Sequence, residues 1–233
     1  MTQTTPRSEF FAGCRGMIPL VVGAIPFGII FGTLSNDLSF GATLAMSAFV
    51  FAGSAQFIAL GLLAAGTAFP LIVLTTFVVN LRHLLYAVSL VPYLQRSPPL
   101  WKLLLGFWLT DEAFMVAIVR YHQADSSPYK HWYHLGGATL MYANWQLCTL
   151  IGLTMGQLIP NIRSWGLDFA MSVTFIGMVI PYLINQPMLV AVFVAGISSL
   201  FTHALPHQLG LMVASLLGIA AGVLCERLIK VQA

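Results

Sequence analysis

A chain of 233 residues that is 58% hydrophobic and 7% charged, with a mean hydropathy of +0.87, is not an ordinary soluble domain, in which roughly a quarter of residues are charged. Its ten Lys and Arg and seven Asp and Glu give a formal charge of +3. They fall mostly at the chain ends and in short loops, so this is flanking charge and no nucleic-acid partner is expected. The apolar runs have helical length and lack the short alternating segments of transmembrane strands, which leaves an all-α, polytopic transmembrane helical bundle in a lipid bilayer.

Residues 1–16 hold Arg7, Glu9 and Arg15 and read as a cytoplasmic N-terminal segment. They contain no apolar core followed by a small-residue cleavage site, so a cleaved signal peptide is not expected. Residues 17–230 read as a single transmembrane transporter domain. Its first apolar run, Met17 to Leu34, contains Pro19, Gly23, Pro26, Gly28 and Gly32. Proline deletes a backbone donor and clashes with the preceding turn, so a kinked or broken helix is expected. Unwound backbone near Pro26 and Phe27 would offer groups to a substrate; the alternative is a kink packed by its neighbours.

The second run, Gly41 to Ala65, places small and polar residues at its middle, Phe51-Ala52-Gly53-Ser54-Ala55-Gln56-Phe57. This suits either a break or tight helix packing. The third, Leu71 to Leu94, carries Asn80, Arg82 and His83. A helix entered at Leu71 and rising ~1.5 Å per residue puts Arg82 roughly 16 Å deep, near the middle of a ~30 Å hydrocarbon slab. An arginine there costs about 2.5–3.5 kcal/mol on insertion scales, so it needs a partner and faces a bundle interior or a wet cavity.

The fourth run, Leu103 to Val119, has Thr110, Asp111 and Glu112 at a comparable depth, and the fifth, Trp132 to Leu158, has Asn144 and Gln146. Leu167 to Leu183, Met188 to Leu205 and Leu209 to Ile229 complete seven or eight spans, the count depending on whether Asn185-Gln186-Pro187 is a loop or a break in a re-entrant pair. Arg7 and Arg15 orient the N-terminus inward, yet strict alternation from there puts Arg96 and Lys102 outside. One span is therefore miscounted, re-entrant or broken, and the second is the best suspect. Leu34 to Ser47 and Ile159 to Ser172 share Asn, Ser, Gly and Ala-Met-Ser positions, a candidate internal repeat of the kind transporters use.

In low dielectric, the expected compensation for Arg82 is a bidentate carboxylate, Asp111 or Glu112. The same pair would also serve as a structural tie fixing helix register. The second carboxylate is then in excess, a candidate for proton carriage or for binding an ammonium group, with His83 as a further proton-coupling candidate. Arginine and helix-end donors for a carboxylate, Asp111 or Glu112 for an amine, and apolar walls suit a small zwitterion; Gln56, Asn80 and Asn144 would add neutral donors and acceptors. A proton path or an organic anion is served by the same groups.

The stretches GAIPFG (Gly23 to Gly28), FAGSAQF (Phe51 to Phe57), NLRHLLY (Asn80 to Tyr86) and TDEAF (Thr110 to Phe114), in this order, resemble the AzlC-type family. Its members are the large subunits of bacterial branched-chain amino acid exporters of the LIV-E type. The resemblance implies export of leucine, isoleucine and valine, with methionine as a further candidate, across the bacterial cytoplasmic (inner) membrane. It also implies a small AzlD-type membrane subunit, with the proton gradient as the candidate driving force and no cofactor. Beside the resemblance, the reading of the residues themselves draws the substrate site from Pro26, Phe27, Gln56, Asn80, Arg82, Asp111, Glu112 and Asn144.

Rival readings rest on weaker features. His131 and His134, and His203 and His207, have spacings that suit a metal, but no HExxH or GxSxG accompanies them, so neither a metal nor an enzyme is expected. A channel would want charged rings or a filter repeat, and the chain has neither. The three cysteines, Cys14, Cys148 and Cys225, are widely spaced and read as packing residues.

Overall fold

The computed structural model describes residues 4–35, 38–125, 127–155, 176, 180, 183–205 and 209–232, and its regular structure among them is entirely helical. Helix α1, Pro6–Leu34, begins well before the expected Met17. A capping box sets its start: Thr5 Oγ1 accepts from the Ser8 amide at 3.1 Å, and Ser8 Oγ accepts from the Thr5 amide at 2.9 Å. The helix then continues through Pro19 and Pro26, so the expected break in the first run is absent. Its neighbour explains how the prolines are tolerated, because α1 is packed along its length against α7, Lys130–Met155.

These two helices run parallel. Phe10 meets Gly136, Gly28 meets Cys148 and Gly32 meets Thr149. A β-carbon at Gly136 would overlap the Phe10 carbonyl, and one at Gly32 the Thr149 carbonyl, so the small residues let two backbones touch.

The second apolar run is divided as expected, into α2, Phe40–Phe49, and α3, Gly53–Ala64. The third is one helix, α4, Phe69–Leu94. The fourth is a correction: Leu103 to Val119 is not one continuous helix but two short ones, α5, Pro99–Phe107, and α6, Asp111–His122. At 9 to 12 residues each, α2, α3, α5 and α6 extend only about 14–18 Å, half the hydrocarbon thickness. By length and composition, α1 and α4 are sufficient to cross a membrane, and α7 matches α4 at 26 residues.

Contacts give the hairpins their directions. Thr43 Oγ1 reaches the Ser35 carbonyl at the C-terminal end of α1, Phe51 meets Tyr142 midway along α7, and Phe57 returns to Phe31. Thus α2 and α3 descend from one end to mid-depth and go back. From the opposite end, Trp101 packs on His131 and Trp132 at the start of α7, and Trp108 lies against Tyr142. Helix α6 then returns, its Arg120 bonding Glu9 near the start of α1. Tyr86 on Phe114 and Tyr93 on Tyr121 place α6 parallel to this part of α4. Two helical hairpins therefore enter from opposite ends, and Arg96, Lys102, Arg120 and Lys130 gather at the end that holds the start of α1.

The chain divides into two compact units, Met1–Ala64 with Asn80–Leu167, and Ala65–Val79 with Asp168–Ala233. Everything above from α1 to α7, residues 65–79 apart, belongs to the first. In the second, Asn185 caps α8, Gln186–Thr202, accepting from the Met188 amide at 3.0 Å, so Asn185-Gln186-Pro187 is a helix start. Helix α8 packs antiparallel on α9, Leu209–Gln232, with Gly218 against Ala191 and Ala195. The repeat partner Ile159 to Ser172 lies outside the described residues, as does nearly all of the expected run Leu167 to Leu183.

Candidate functional site

A helix broken inside a bilayer must have its freed backbone groups satisfied. At the α2–α3 tip, three side chains do this. Gln56 Nε2 donates to the Met46 and Val50 carbonyls at 3.2 and 2.6 Å, Gln146 Nε2 donates to Ser47 O at 3.0 Å, and Tyr142 Oη donates to Ala48 O at 3.2 Å. Gln56 is fully buried, and its own Oε1 accepts from Trp145 Nε1 at 3.2 Å. The structure thus places Gln56 as an internal tie of the broken helix rather than beside Arg82.

The α5–α6 tip is closed by Thr110, whose Oγ1 accepts from the Ala113 amide at 3.2 Å. Asp111 and Glu112 follow in the first turn of α6, where the positive end of the helix dipole favours acids.

Arg82 joins the two tips. Its Nη1 donates to Asp111 Oδ2 at 2.6 Å, and its Nη2 donates to Ser54 Oγ at 2.7 Å in the first turn of α3. The expected pairing with Asp111 is present, but through one oxygen: the guanidinium fork is split between a carboxylate and a hydroxyl instead of gripping one carboxylate bidentately. The amino ends of two half-helices consequently converge on one cation at mid-depth.

The cluster is not saturated. Arg82 Nε and Asp111 Oδ1 are buried without a hydrogen-bond partner among the described residues, as are Asn80 Oδ1 on the same helix and Trp108 Nε1 at the α5–α6 break. Glu112 interacts with Thr110 and has Asp111 and Arg82 as charged neighbours. Tyr86, a turn beyond Arg82, is stacked on Phe114 at 4.7 Å and shares those neighbours. His83 Nδ1 lies 3.1 Å from the Asn80 carbonyl in its own helix, with its ring edge-on to Tyr86.

Of the residues picked out from sequence, Arg82, His83, Asp111 and Glu112 therefore come together, while Asn80 precedes Arg82 by two residues on α4. Pro26 and Phe27 are in the continuous helix α1, with Phe27 buried. Asn144 is on α7, its Oδ1 3.6 Å from Cys148 Sγ and its Nδ2 buried without a partner among the described residues. Ser54, which sequence reasoning treats only as part of a small-residue stretch, is a direct contact of Arg82.

A second polar cluster, unforeseen from sequence, ties the basic end. Glu9 and Arg120, both buried, form an ion pair through two nitrogens of the guanidinium, and Ser127 Oγ donates to Glu9 Oε1 at 2.8 Å. Arg120 Nη1 also reaches Asp125 Oδ2 at 2.8 Å, and Lys130 Nζ reaches Asp125 Oδ1 at 3.0 Å. In this loop the Lys130 ammonium, followed by Arg120, holds the Asp125 carboxyl below its ordinary value.

Among the described residues no group of three His, Cys, Asp or Glu could hold a metal. His131 is packed on Trp101, while His134 is buried. His203 Nδ1 lies 2.8 Å from the Leu200 carbonyl, and His207 is outside the described residues.

Comparison with known proteins identifies the family. Residues 19–159 match the family model described as AzlC protein. The chain is 31% identical over 163 residues to the inner membrane protein YgaZ of Escherichia coli, spanning 66% of this chain and 64% of that protein. It is 31% identical over 182 residues to the branched-chain amino acid transport protein AzlC of Bacillus subtilis, spanning 75% of this chain and 70% of that one. An uncharacterized membrane protein of Haemophilus influenzae is 28% identical over 167 residues, 68% of this chain and 65% of its own length. No solved structure matches. The protein is a membrane protein and belongs to the AzlC family.

Proposed function

We propose that this chain is the large subunit of a secondary transporter that exports leucine, isoleucine and valine, and methionine as a further cargo, across the bacterial cytoplasmic membrane. It works with a small AzlD-type membrane subunit and draws on the proton gradient. The observation that carries this reading is Arg82, held at mid-depth between two opposed hairpin tips with donors and acceptors left over. A substrate carboxylate approaching Arg82 meets a planar cation flanked by two helix amino ends, all favouring negative charge. Its ammonium is received by Asp111 Oδ1, with Glu112 close by. The name of the Bacillus subtilis relative supports the choice of cargo.

Binding exchanges contacts. Each oxygen of the substrate carboxylate competes with Asp111 or Ser54 for the fork, so a loaded site loosens the tie between the tips. Two hairpins that are joined when empty and freed when loaded give alternating access a physical basis. Glu112 and His83 are the proton-coupling candidates, and the basic end of the bundle faces the cytoplasm under the positive-inside rule.

Efflux of labelled leucine from preloaded cells lacking their own exporters tests the reading, with the parent and Arg82→Ala each expressed with and without a small subunit. Efflux that requires both Arg82 and the subunit is the expected result. Background efflux in every combination, with membrane insertion verified, removes leucine as the cargo.

A further inference from the structure

Beside the charged cluster, and toward the basic end, lies a cavity of about 320 Å³ between the second half of α4, α5 and the start of α7. Its walls include Leu90, Leu94, Leu105, Gly106, Leu109 and His134. The volume is at the lower end of the ~300–1,000 Å³ range of small-molecule pockets, which suits a short aliphatic group better than a lipid chain. It also begins where the charged cluster stops. Leu90 follows Arg82 by two turns on α4, Leu109 precedes Asp111 at the hairpin tip, and the two leucines pack in one buried cluster. The cavity therefore follows the charged cluster along both α4 and the α5–α6 tip, on its apolar side.

We propose that the cavity is the side-chain pocket of the transported amino acid and that Gly106 sets the size of side chain it accepts; this rests on the transport reading above. A β-carbon built on Gly106 meets nothing within 4 Å, although the residue lines the cavity. A β-carbon added at this position therefore extends the cavity's lining without displacing a packed atom. Leu105 and Leu109 are 1% and 5% exposed, so they form fixed walls, and Gly106 is the open position between them.

The test is transport of labelled leucine, valine and alanine by the parent, Gly106→Ala and Gly106→Leu, expressed to equal levels. One methylene in an apolar pocket changes discrimination about tenfold or more, so Gly106→Leu should lower leucine relative to alanine by at least that factor, with Gly106→Ala in between. Occupancy is read separately. In a background with Cys14, Cys148 and Cys225 replaced by alanine, Gly106→Cys is labelled with N-ethylmaleimide, and leucine at about ten times its half-saturating concentration should slow labelling about tenfold. Adding Arg82→Ala should abolish that protection. If the parent carries leucine through Arg82, yet the Gly106 variants change all three amino acids alike and leucine gives no protection, the pocket is wrong and the transport reading stands. If the parent carries no amino acid, both fail together.

Discussion

Ser54 accepts a 2.7 Å hydrogen bond from Nη2 of Arg82, while Nη1 of the same guanidinium is engaged by Asp111 on the opposing hairpin. Arg82 thereby tethers two helix breaks that are far apart in sequence. Lysine keeps the charge but cannot hold both groups in one plane. Arg82→Lys should reduce leucine efflux roughly 10- to 100-fold, the equivalent of one hydrogen bond to a charged group at about 1.5–3 kcal/mol. Ser54→Ala should fall at the low end of that range. Full efflux by Arg82→Lys at equal membrane abundance would show that charge alone suffices and that the fork has no role.

Gln56 gives a contrasting case. Its amide gives a second hydrogen bond to the Met46 and Val50 carbonyls, which also accept from the Val50 and Ala52 amides, and it accepts from the Trp145 indole. Gln56→Leu leaves the two carbonyls their backbone donors but strands the buried indole N–H, at about 1–3 kcal/mol. For a loss of that size, a chain of this length should melt roughly 2–12 °C lower. Thermal unfolding of the detergent-purified variant is the measurement. Unchanged melting together with lost transport would make Gln56 a substrate contact instead.

The same two residues show what could be read in advance. An arginine in the middle of an apolar run demands a counter-charge, and only Asp111 and Glu112 lie at similar depth, so the pair was legible from chemistry alone. The α2–α3 break was legible because small and polar residues at mid-run coincide with a charge distribution that strict alternation cannot satisfy. The α5–α6 break was not, since Leu103 to Val119 is apolar enough to pass for one span. Its signal was local: Thr110 followed by Asp111 and Glu112 is a helix start, an N-cap with acids in the first turn. The prolines of α1 left a kink and a break both open, because their effect depends on α7, and nothing near them in sequence specifies that packing. Glu9 and Arg120 are 111 residues apart, and only the tertiary fold brings them together.

That pair should matter for stability. Breaking a buried ion pair costs about 3–5 kcal/mol, and Glu9→Ala should cost about 3 kcal/mol because Asp125 still faces Arg120. Asp125 itself contributes in a pH-dependent way. Its folded value is depressed, so its contribution is present above the unfolded value of 3.8 and is lost as pH falls through the lower folded one. The melting difference between the parent and Asp125→Asn should therefore be present at neutral pH and close in acid. A gap that widened as pH fell would contradict the ion-pair assignment.

Topology supplies the most direct check on the hairpins. If α5 and α6 were halves of one crossing, the loops around Ser97 and Ala124 would lie on opposite sides of the membrane. As a re-entrant hairpin they lie on the same side, with Ser39 on the other. In a background with the native cysteines replaced by alanine, Ser97→Cys and Ala124→Cys should be labelled by a membrane-impermeant maleimide in inside-out vesicles and protected in right-side-out ones. Ser39→Cys should show the reverse. Labelling of Ser97→Cys and Ala124→Cys from opposite faces would rule out the hairpin, and with it the meeting of two tips at Arg82 on which the proposed site depends. Reversal of all three patterns would keep the hairpins and invert the bundle, placing the basic end outside the cell and the side-chain pocket on the release side.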